Sequence, residues 1–323
     1  MTLVAKLRAL ATKNWLTGVA LSATLLLTGC VPEQVDLTGK TMGTSYSIRY
    51  VTGDDTPSAR EMQAEIDKRL EQVNDQMSTY RPDSELSRFN ASRDIERPFP
   101  VSPATNLGGC GPEGRPDKVP SEAELEHRRA WTGADKLSVQ GSALVKSIPE
   151  LYVDLSSIAK GYGVDVVAEY LQSQHVQNYM VDIGGEVRTR GHNGEQKPWR
   201  IAIERPTAGT QQQAQLVIQP GEMSIATSGD YRNYFEQDGV RYSHTIDPVT
   251  GRPIHHRLVS ITVLSPTCMT ADGLSTGLNV MGPERGMALA NLLGIPVFMI
   301  VKTADGFEER YSDAFKPYLK KRS

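Results

Sequence analysis

The hydrophobic periodicity of the chain changes between neighbouring segments, and this change restricts the fold more than any other feature. Residues 43–51 alternate, which is typical of a half-buried strand, with Thr44, Tyr46, Ile48 and Tyr50 on one face. In the next segment, apolar residues recur every three or four positions, as on the core-facing side of an amphipathic helix: Met62, Ile66, Leu70, Val73 and Met77. The pattern predicts a strand followed by a packed helix.

Later segments continue this mixture. We expect strands at 151–155 and 178–183, a helix from about Ser156 to Leu171, and helices at 270–281 and 283–293, the last stopped by Gly294. Residues 199–261 contain short strands separated by polar turns. Strands and helices do not alternate strictly, which favours an α+β protein with a mixed β-sheet core and flanking helices over a doubly wound parallel sheet.

The N-terminus has the layout of a secretory signal peptide. Basic residues precede a broken apolar run at 15–27, and Leu27-Thr28-Gly29-Cys30 follows. This order predicts a lipobox: residues 1–29 are removed, Cys30 is acylated, and 30–40 form a polar tether. Acyl chains hold a protein on a membrane surface without a spanning helix. The alternative is an ordinary cleaved signal with a chance cysteine.

Composition narrows the function classes. The chain has 323 residues, which is long enough for one large domain or two intimate lobes. Its formal net charge is −3. It carries no basic run beyond the N-terminus, so nucleic acid is not an expected partner. Besides Cys30, only Cys110 and Cys268 are present, and whether they pair is open.

Four polar clusters are candidates for chemistry. The turn 41–46 leads into a strand. Asp154 ends an apolar segment just before a helix start that carries Lys160, so it is either a helix cap or part of an anion site. His244, between 224 and 247, is either a base or a structural histidine. Asp272 and Thr276 share a helix face, and either bind a hard cation or mark an exposed helix start.

Taken together and in this order, the clusters resemble the ApbE-type flavin transferases, which are FAD:protein FMN transferases. The resemblance covers nearly all of the chain after the signal peptide. It rests on these stretches: Met42-Gly43-Thr44 with Tyr46, Ser78-Thr79-Tyr80, 84–90, Val153–Ser156 with Ala159–Tyr162, Asp182–Glu186, Thr227–Arg232, Ser243–Pro248 with Thr250–Pro253, and Ala271-Asp272 with Ser275-Thr276.

The resemblance implies one flavin transferase domain at 41–323, built as two intimate lobes. Its activity would be the Mg²⁺-dependent transfer of FMN from the substrate FAD to a Thr or Ser hydroxyl of an acceptor protein, with release of AMP. The roles it implies are flavin or adenine contacts at Met42, Tyr80, Asp154, Lys160 and Ile246, a Mg²⁺ site of Asp272, Thr276 and the Ser157 carbonyl, and a catalytic base at His244.

The resemblance also implies where the protein acts. Acceptors of this family are subunits of sodium-pumping or electron-bifurcating membrane redox complexes. A lipid anchor at Cys30 would place the chain on the periplasmic side of a bacterial membrane. No Asp follows Cys30, which favours the outer membrane only weakly.

One departure from the family pattern is large. Relatives carry a longer stretch, including a helix, where this chain runs from Pro103 almost directly to Asn106. Its loss would remove a wall of the FAD pocket. It would also expose apolar surface, at a cost of about 25 cal/mol per Å². The chain is a natural weakened variant, an incomplete sequence of an intact protein, or a protein in which other elements fill the gap. An FAD-binding or FAD-hydrolysing lipoprotein and an inactive remnant are therefore the alternative functions.

Overall fold

The structure, a computed structural model, describes residues 33–105, 121–204, 214–229, 234–237, 240–243 and 245–319. Cys30, Cys110 and His244 lie outside these residues, as does the stretch from Asn106 to 120. Within the described ranges, every helix is too short or too polar to cross a membrane.

The described residues form six α-helices and seventeen strands. The helices are α1 (Ala59–Met77), α2 (Glu85–Ala91), α3 (Glu122–Arg129), α4 (Ala159–Ser173), α5 (Cys268–Leu293) and α6 (Lys316–Leu319). The strands are β1 (Gln34–Thr41), β2 (Thr44–Val51), β3 (Phe99–Pro100), β4 (Leu137–Gln140), β5 (Ala143–Lys146), β6 (Tyr179–Ile183), β7 (Glu186–Arg190), β8 (Ile201–Glu204), β9 (Ala214–Ile218), β10 (Ser224–Gly229), β11 (Tyr234–Gln237), β12 (Val240–Ser243), β13 (Ile246–Asp247), β14 (Arg252–Pro253), β15 (Leu258–Ser265), β16 (Val297–Thr303) and β17 (Gly306–Tyr311).

Eight strands make the central sheet, in the order β1-β2-β6-β7-β10-β15-β16-β17. Each pairing in it is antiparallel. Small sheets of two or three strands complete the β structure. The α+β class with helices flanking a sheet is confirmed, and strict βαβ alternation is absent from the described residues.

The core lies on both faces of this sheet, and β16 shows how. Val297, Met299 and Val301 pack with α5 residues in one cluster. The intervening Phe298 and Ile300 pack in another cluster with residues of β8 and β9. A strand buried on both faces reads as a continuous apolar run, which is the pattern of residues 297–301.

The polar tether predicted for residues 30–40 is wrong for residues 34–40. They form most of β1, which pairs with β2 from Gln34↔Val51 to Thr41↔Thr44. Only Val35 and Leu37 mark the alternation, and five polar residues around them obscure it. The two strands are joined by Met42 and Gly43 alone, both at positive φ (49° and 71°), as a type I′ hairpin requires.

Leu151, Val153 and Leu155 are buried, but residues 151–155 do not form the predicted strand. Val153 makes only an isolated bridge, and the side chain of Asn90 bonds its backbone as a neighbouring strand would. Asn90 Nδ2 donates to the carbonyl of Val153, and the Val153 N–H donates to Asn90 Oδ1, both at 2.8 Å. One amide thus satisfies both backbone polar groups of a buried residue. Leu151, Val153 and Leu155 still supply core surface.

Helix α5 is broken where two separate helices were predicted. Gly282 has a φ of 79°, and Pro283 follows it with no N–H to donate to the Asn279 carbonyl four residues earlier. The ring of His256 supplies the missing donor: its Nε2 lies 2.7 Å from that carbonyl, while its Nδ1 accepts from the Leu258 N–H. The left-handed Gly294 ends the helix as expected.

Candidate active site

Helices α4 and α5 approach each other closely at Gly161. A Cβ at this position would lie 2.4 Å from the Cys268 carbonyl oxygen and 2.8 Å from the Cβ of Asp272. Side-chain contacts of real Cβ atoms are never so short, so only glycine allows this approach. Gly161 thereby sets the distance between the first turns of both helices.

Each helix caps the other across this contact. Asp165 of α4 accepts the backbone N–H groups of Cys268 and Met269, at 3.0 and 2.9 Å, which begin α5. Asp272 of α5 accepts the Gly161 N–H at 2.9 Å. Carboxylates at helix N-termini satisfy free donors and oppose the positive end of the dipole. The two carboxylates therefore lock the helix starts together.

The location of Asp272 decides between its two interpretations. The residue is only 4% exposed, and the cap of its own helix is Thr267, whose side chain accepts from the Thr270 N–H. Asp272 is therefore not an exposed helix start. Asp154 is not the cap of α4 either, since Ile158 holds that position without a side-chain bond. Asp154 instead accepts from the N–H and Oγ of Ser156.

Hydroxyl groups line α5 one turn beyond Asp272. Ser228 Oγ, on β10, lies 2.8 Å from Ser275 Oγ and 3.3 Å from Thr276 Oγ1. On the other side, Ile158 Cγ2 is 3.1 Å from where a Cβ of Gly273 would be. The segment that contains Ser157 thus runs beside the turn of α5 that carries Asp272.

Lys160 extends into this region, and most of its side chain is shielded from solvent. Its Nζ lies 2.7 Å from Glu186 Oε2, and its side chain is 34% exposed while that of Glu186 is 2% exposed. Glu186 begins β7 directly after Gly184 and Gly185, which form a two-residue hairpin turn at positive φ. The tight turn fixes where the carboxylate enters the site.

The three charged groups influence one another. Burial raises the pKa of Glu186 to about 8, with the charge of Asp272 adding to the effect and Lys160 opposing it. Burial likewise raises the pKa of Asp272 to about 6, against the effects of Lys160 and the Gly161 N–H. Burial lowers the pKa of Lys160, but the two carboxylates outweigh it, and the pKa is raised. Lys160 therefore stays charged, and the two acidic side chains of the site outnumber this one basic side chain.

A hard divalent cation fits the donor set around Asp272. A buried carboxylate is present with Thr276 on the same helix face, and the Ser157 segment is adjacent. The described residues contain no cluster of three or more His, Cys, Asp or Glu side chains suited to a metal. A cation here would depend on hydroxyl, carbonyl, water and substrate oxygens, the shell that Mg²⁺ prefers.

Met42 places the β1–β2 turn against α4. Its Cε lies 2.7 Å from the Cβ position of Gly163, and its side chain packs on the two core clusters to either side. A non-glycine residue at positive φ is uncommon, and such strain concentrates at functional sites. The turn predicted to contact flavin is thus brought next to the start of α4.

Two other predicted contacts are not brought into this group by any described bond. Tyr80 is 76% exposed, and its N–H donates to Ser78 Oγ. Ile246 is half-buried in β13, paired with Pro253. The turn after β13 is held by α3, since Arg129 donates to the Thr250 carbonyl and Leu125 packs under Gly251. The predictions for Tyr80 and Ile246 remain predictions, as does that for His244.

Cys268 is a core residue. It is fully buried, and its thiol contacts the carbonyls of Val187 and Ile225. Burial raises its pKa well above the usual value, with Asp165 adding to the effect. The thiol therefore stays protonated and unreactive.

Glu186 has no role among those predicted from the sequence, although it lies in one of the matched stretches. The available signal was an acidic residue at the first position of a strand after two glycines, where the chain has little freedom. What the pattern could not show is that this carboxylate meets Lys160, 26 positions earlier in the chain.

Fold and site together define a class: an α+β protein whose candidate site lies at the paired starts of two helices, with a buried carboxylate and a lysine. The model of the ApbE family matches residues 42–106 and 100–299. The chain belongs to the ApbE family.

Relatives and solved structures agree with this assignment. The FAD:protein FMN transferase of Vibrio cholerae serotype O1 is 57% identical over 337 residues, which cover 96% of this chain and 100% of that protein. That of Haemophilus influenzae is 44% identical, covering 94% and 98%. The structure of the flavin transferase ApbE from Vibrio cholerae matches with a TM-score of 0.80 at 55% identity, covering 89% of this chain and 100% of that one.

The alignment with the Vibrio protein also bears on length. At 337 residues it is longer than this 323-residue chain, so the relative has residues with no counterpart here. The family model matches in two segments that meet between 100 and 106.

Proposed function

We propose that this chain is a FAD:protein FMN transferase, which takes FAD as substrate and transfers FMN to a Thr or Ser hydroxyl of an acceptor protein. Family membership and the names of full-length relatives support the proposal. The structural observation that carries it is the α4–α5 contact, where buried Asp272 bonds the Gly161 N–H beside Lys160.

The reaction would proceed by phosphoryl transfer. The acceptor oxygen attacks the phosphorus of the FMN half, the bond from that phosphorus to the bridging oxygen breaks, and AMP leaves with that oxygen. A phosphodiester joins FMN to the acceptor. Such reactions depend on positioning and on charge neutralisation more than on covalent help from the protein.

The residues of the site suit this work. The start of α4, together with the ammonium of Lys160, favours an anionic diphosphate. Asp272, Thr276 and the Ser157 carbonyl would hold Mg²⁺, which would neutralise charge on the diphosphate and stabilise the leaving AMP. His244 would accept the proton of the acceptor hydroxyl, which contributes typically about 10²–10⁴-fold.

Met42 and Asp154 would position the two ends of FAD around this centre. Met42 contacts Gly163 in the first turns of α4, so a flavin on the hairpin turn would lie beside the diphosphate site. Asp154 precedes the same helix, with one carboxylate oxygen fixed by Ser156. Tyr80 is exposed and free to cover a bound ring.

We further propose that the chain is lipid-anchored through Cys30 on the periplasmic side of a bacterial membrane. The anchor would confine it to the surface where its acceptors, membrane redox subunits, present their hydroxyl groups. The lipobox sequence supports this placement.

A single incubation tests the activity against its two alternatives. The chain starting after Cys30 is mixed with FAD, Mg²⁺ and an acceptor domain, and the products are separated. Covalent flavin fluorescence on the acceptor with release of AMP is expected. Free FMN with AMP and an unlabelled acceptor would make the chain an FAD hydrolase, for which water replaces the hydroxyl. No AMP at all would make it an inactive remnant.

A further inference from the structure

The pair Lys160–Glu186 differs from most of the other short ion pairs among the described residues, although Arg188–Asp165 is largely buried as well. Most of those pairs are on the surface, as is Lys197 with Glu195, also 2.7 Å apart and 71% exposed on both sides. Glu186 is 2% exposed. Such a carboxylate is costly to bury, and a single salt bridge rarely repays that cost in stability. Its position therefore suggests a role in the site.

Lys160 has two carboxylates within reach of its charge. Glu186 and Asp272 both raise its pKa, so the ammonium experiences both. Its ion pair, however, is with Glu186 at 2.7 Å. Asp272 is left with one oxygen on the Gly161 N–H and with no ion pair among the described residues.

This arrangement matters because Lys160 and a metal ion would compete for Asp272. An ammonium bound to Asp272 would neutralise the carboxylate and repel a second cation. We propose that Glu186 is a positioning residue, which holds the Lys160 ammonium away from Asp272 and so keeps the Asp272 carboxylate free for a divalent cation. The inference rests on the proposed function in taking Asp272 as a cation ligand.

The local structure is suited to holding Lys160 in place. Glu186 follows the two-residue turn Gly184-Gly185, in which the Gly185 N–H donates to Asp182 Oδ1 at 2.9 Å. Lys160 is in the first turn of α4, fixed against α5 by Gly161. Both ends of the ion pair are therefore attached to fixed backbone, and the ammonium has little freedom to shift while Glu186 is charged.

The test measures metal binding directly, with Mn²⁺ as the probe and no FAD present. Free Mn²⁺ is followed by electron paramagnetic resonance in titrations of the chain starting after Cys30, at a pH above the Glu186 pKa of about 8 so that this carboxylate is charged. Glu186→Gln is expected to weaken binding by roughly tenfold or more, as changes to groups that orient metal ligands do. Glu186→Asp should recover part of the affinity. Glu195→Gln, from the exposed pair of equal length, should leave it unchanged.

A double-mutant cycle separates this role from a merely structural one. In a Lys160→Met background no ammonium remains to compete, so Glu186→Gln should weaken Mn²⁺ binding little or not at all. Equal weakening with and without Lys160 would overturn the proposal, as would unchanged binding in the single variant. Thermal melts of each variant show whether it is folded.

The outcome is independent of whether FMN is transferred. A chain that binds Mn²⁺ with the expected cycle but transfers no FMN would leave the role of Glu186 in place and reject the proposed function. A wild-type chain that transfers FMN while Asp272 binds no metal would overturn the role of Glu186 alone.

Discussion

Asp165 and Asp272 exchange helix caps: each belongs to one of two packed helices and accepts backbone N–H groups from the first turn of the other. The two carboxylates differ in their other partners. Asp165 also binds Arg188, at 2.6 Å, in a largely buried ion pair. Asp272 is near a second carboxylate. Asp165 therefore stabilises the fold, whereas the Asp272 carboxylate is available to bind a ligand in the candidate site.

Asp165→Asn is expected to lower the free energy of unfolding by about 3 kcal/mol, because it removes charge-assisted bonds and leaves Arg188 without its counter-charge. Urea unfolding measures this. Asp313→Asn is the matched control, since Asp313 also pairs with a base (Lys316) at 2.6 Å but is 78% exposed. The control should change stability by less than about 1 kcal/mol. Equal effects of the two substitutions would contradict the assignment.

Gly161→Ala should destabilise the chain by about 2–3 kcal/mol, since the new methyl group would meet the Cys268 carbonyl and the helices would have to separate. It should also weaken binding of Mn²⁺, as Asp272 would lose its bond to the Gly161 N–H. Gly277→Ala is the control: it is on α5 with open space around it and should stabilise by about 0.5–1 kcal/mol. Thermal and urea unfolding of both variants measures these changes in stability.

Stability of the metal-free chain should depend on pH through Glu186. Its pKa rises from 4.5 to about 8 on folding, so the protonated form is favoured by the fold. The stabilisation is complete below about pH 4.5 and is lost as the pH rises through about 8. Asp272 and Lys160 face this carboxylate and shift its pKa in opposite directions, so they set the pH at which the loss ends.

The Glu186→Gln variant has no titratable proton at this position, so comparing it with the wild type isolates the contribution of Glu186. The unfolding free energy of the wild type minus that of the variant should fall between about pH 4.5 and pH 8 and level off above that. A difference that stays constant, or grows with pH, would show that the fold does not favour the protonated carboxyl group. Saturating Mg²⁺ should reduce the fall, because a nearby cation favours ionised carboxylates.

The Vibrio relative has residues with no counterpart in this chain, and this difference predicts a difference in affinity for FAD. If the family stretch is absent between Pro103 and Asn106, the FAD pocket is less enclosed, and FAD with Mg²⁺ should raise the melting temperature less than in the Vibrio protein. Parallel thermal melts with a series of FAD concentrations test this. An equal upward shift in both proteins would mean that other elements fill the gap.

Local patterns predicted several elements well. The apolar spacing of α1, the alternation of β2 and the glycine stop of α5 all appear where expected, because each depends on neighbours a few positions apart. Helix α1 begins at Ala59, where Ser58 and Glu61 form a capping box.

What the sequence could not supply depends on distant contacts. The Asn90 amide that bonds the Val153 backbone is 63 positions away, and the Asp272 bond to Gly161 spans 111 positions. Strand β1 was missed because its pairing with β2, and not its own composition, makes it a strand. Asp272 and Lys160 were identified through the family resemblance, whereas their common neighbour Glu186 required the fold.

We propose that Asp272, at the α4–α5 contact, is where a divalent cation supports FMN transfer. The initial rate of AMP release is measured against Mg²⁺ concentration, with FAD and an acceptor domain, for the wild type and for Asp272→Ala. We predict a rate that rises and saturates with Mg²⁺ in the wild type and a flat, near-zero rate in the folded variant. A variant that follows the wild-type curve would contradict the claim.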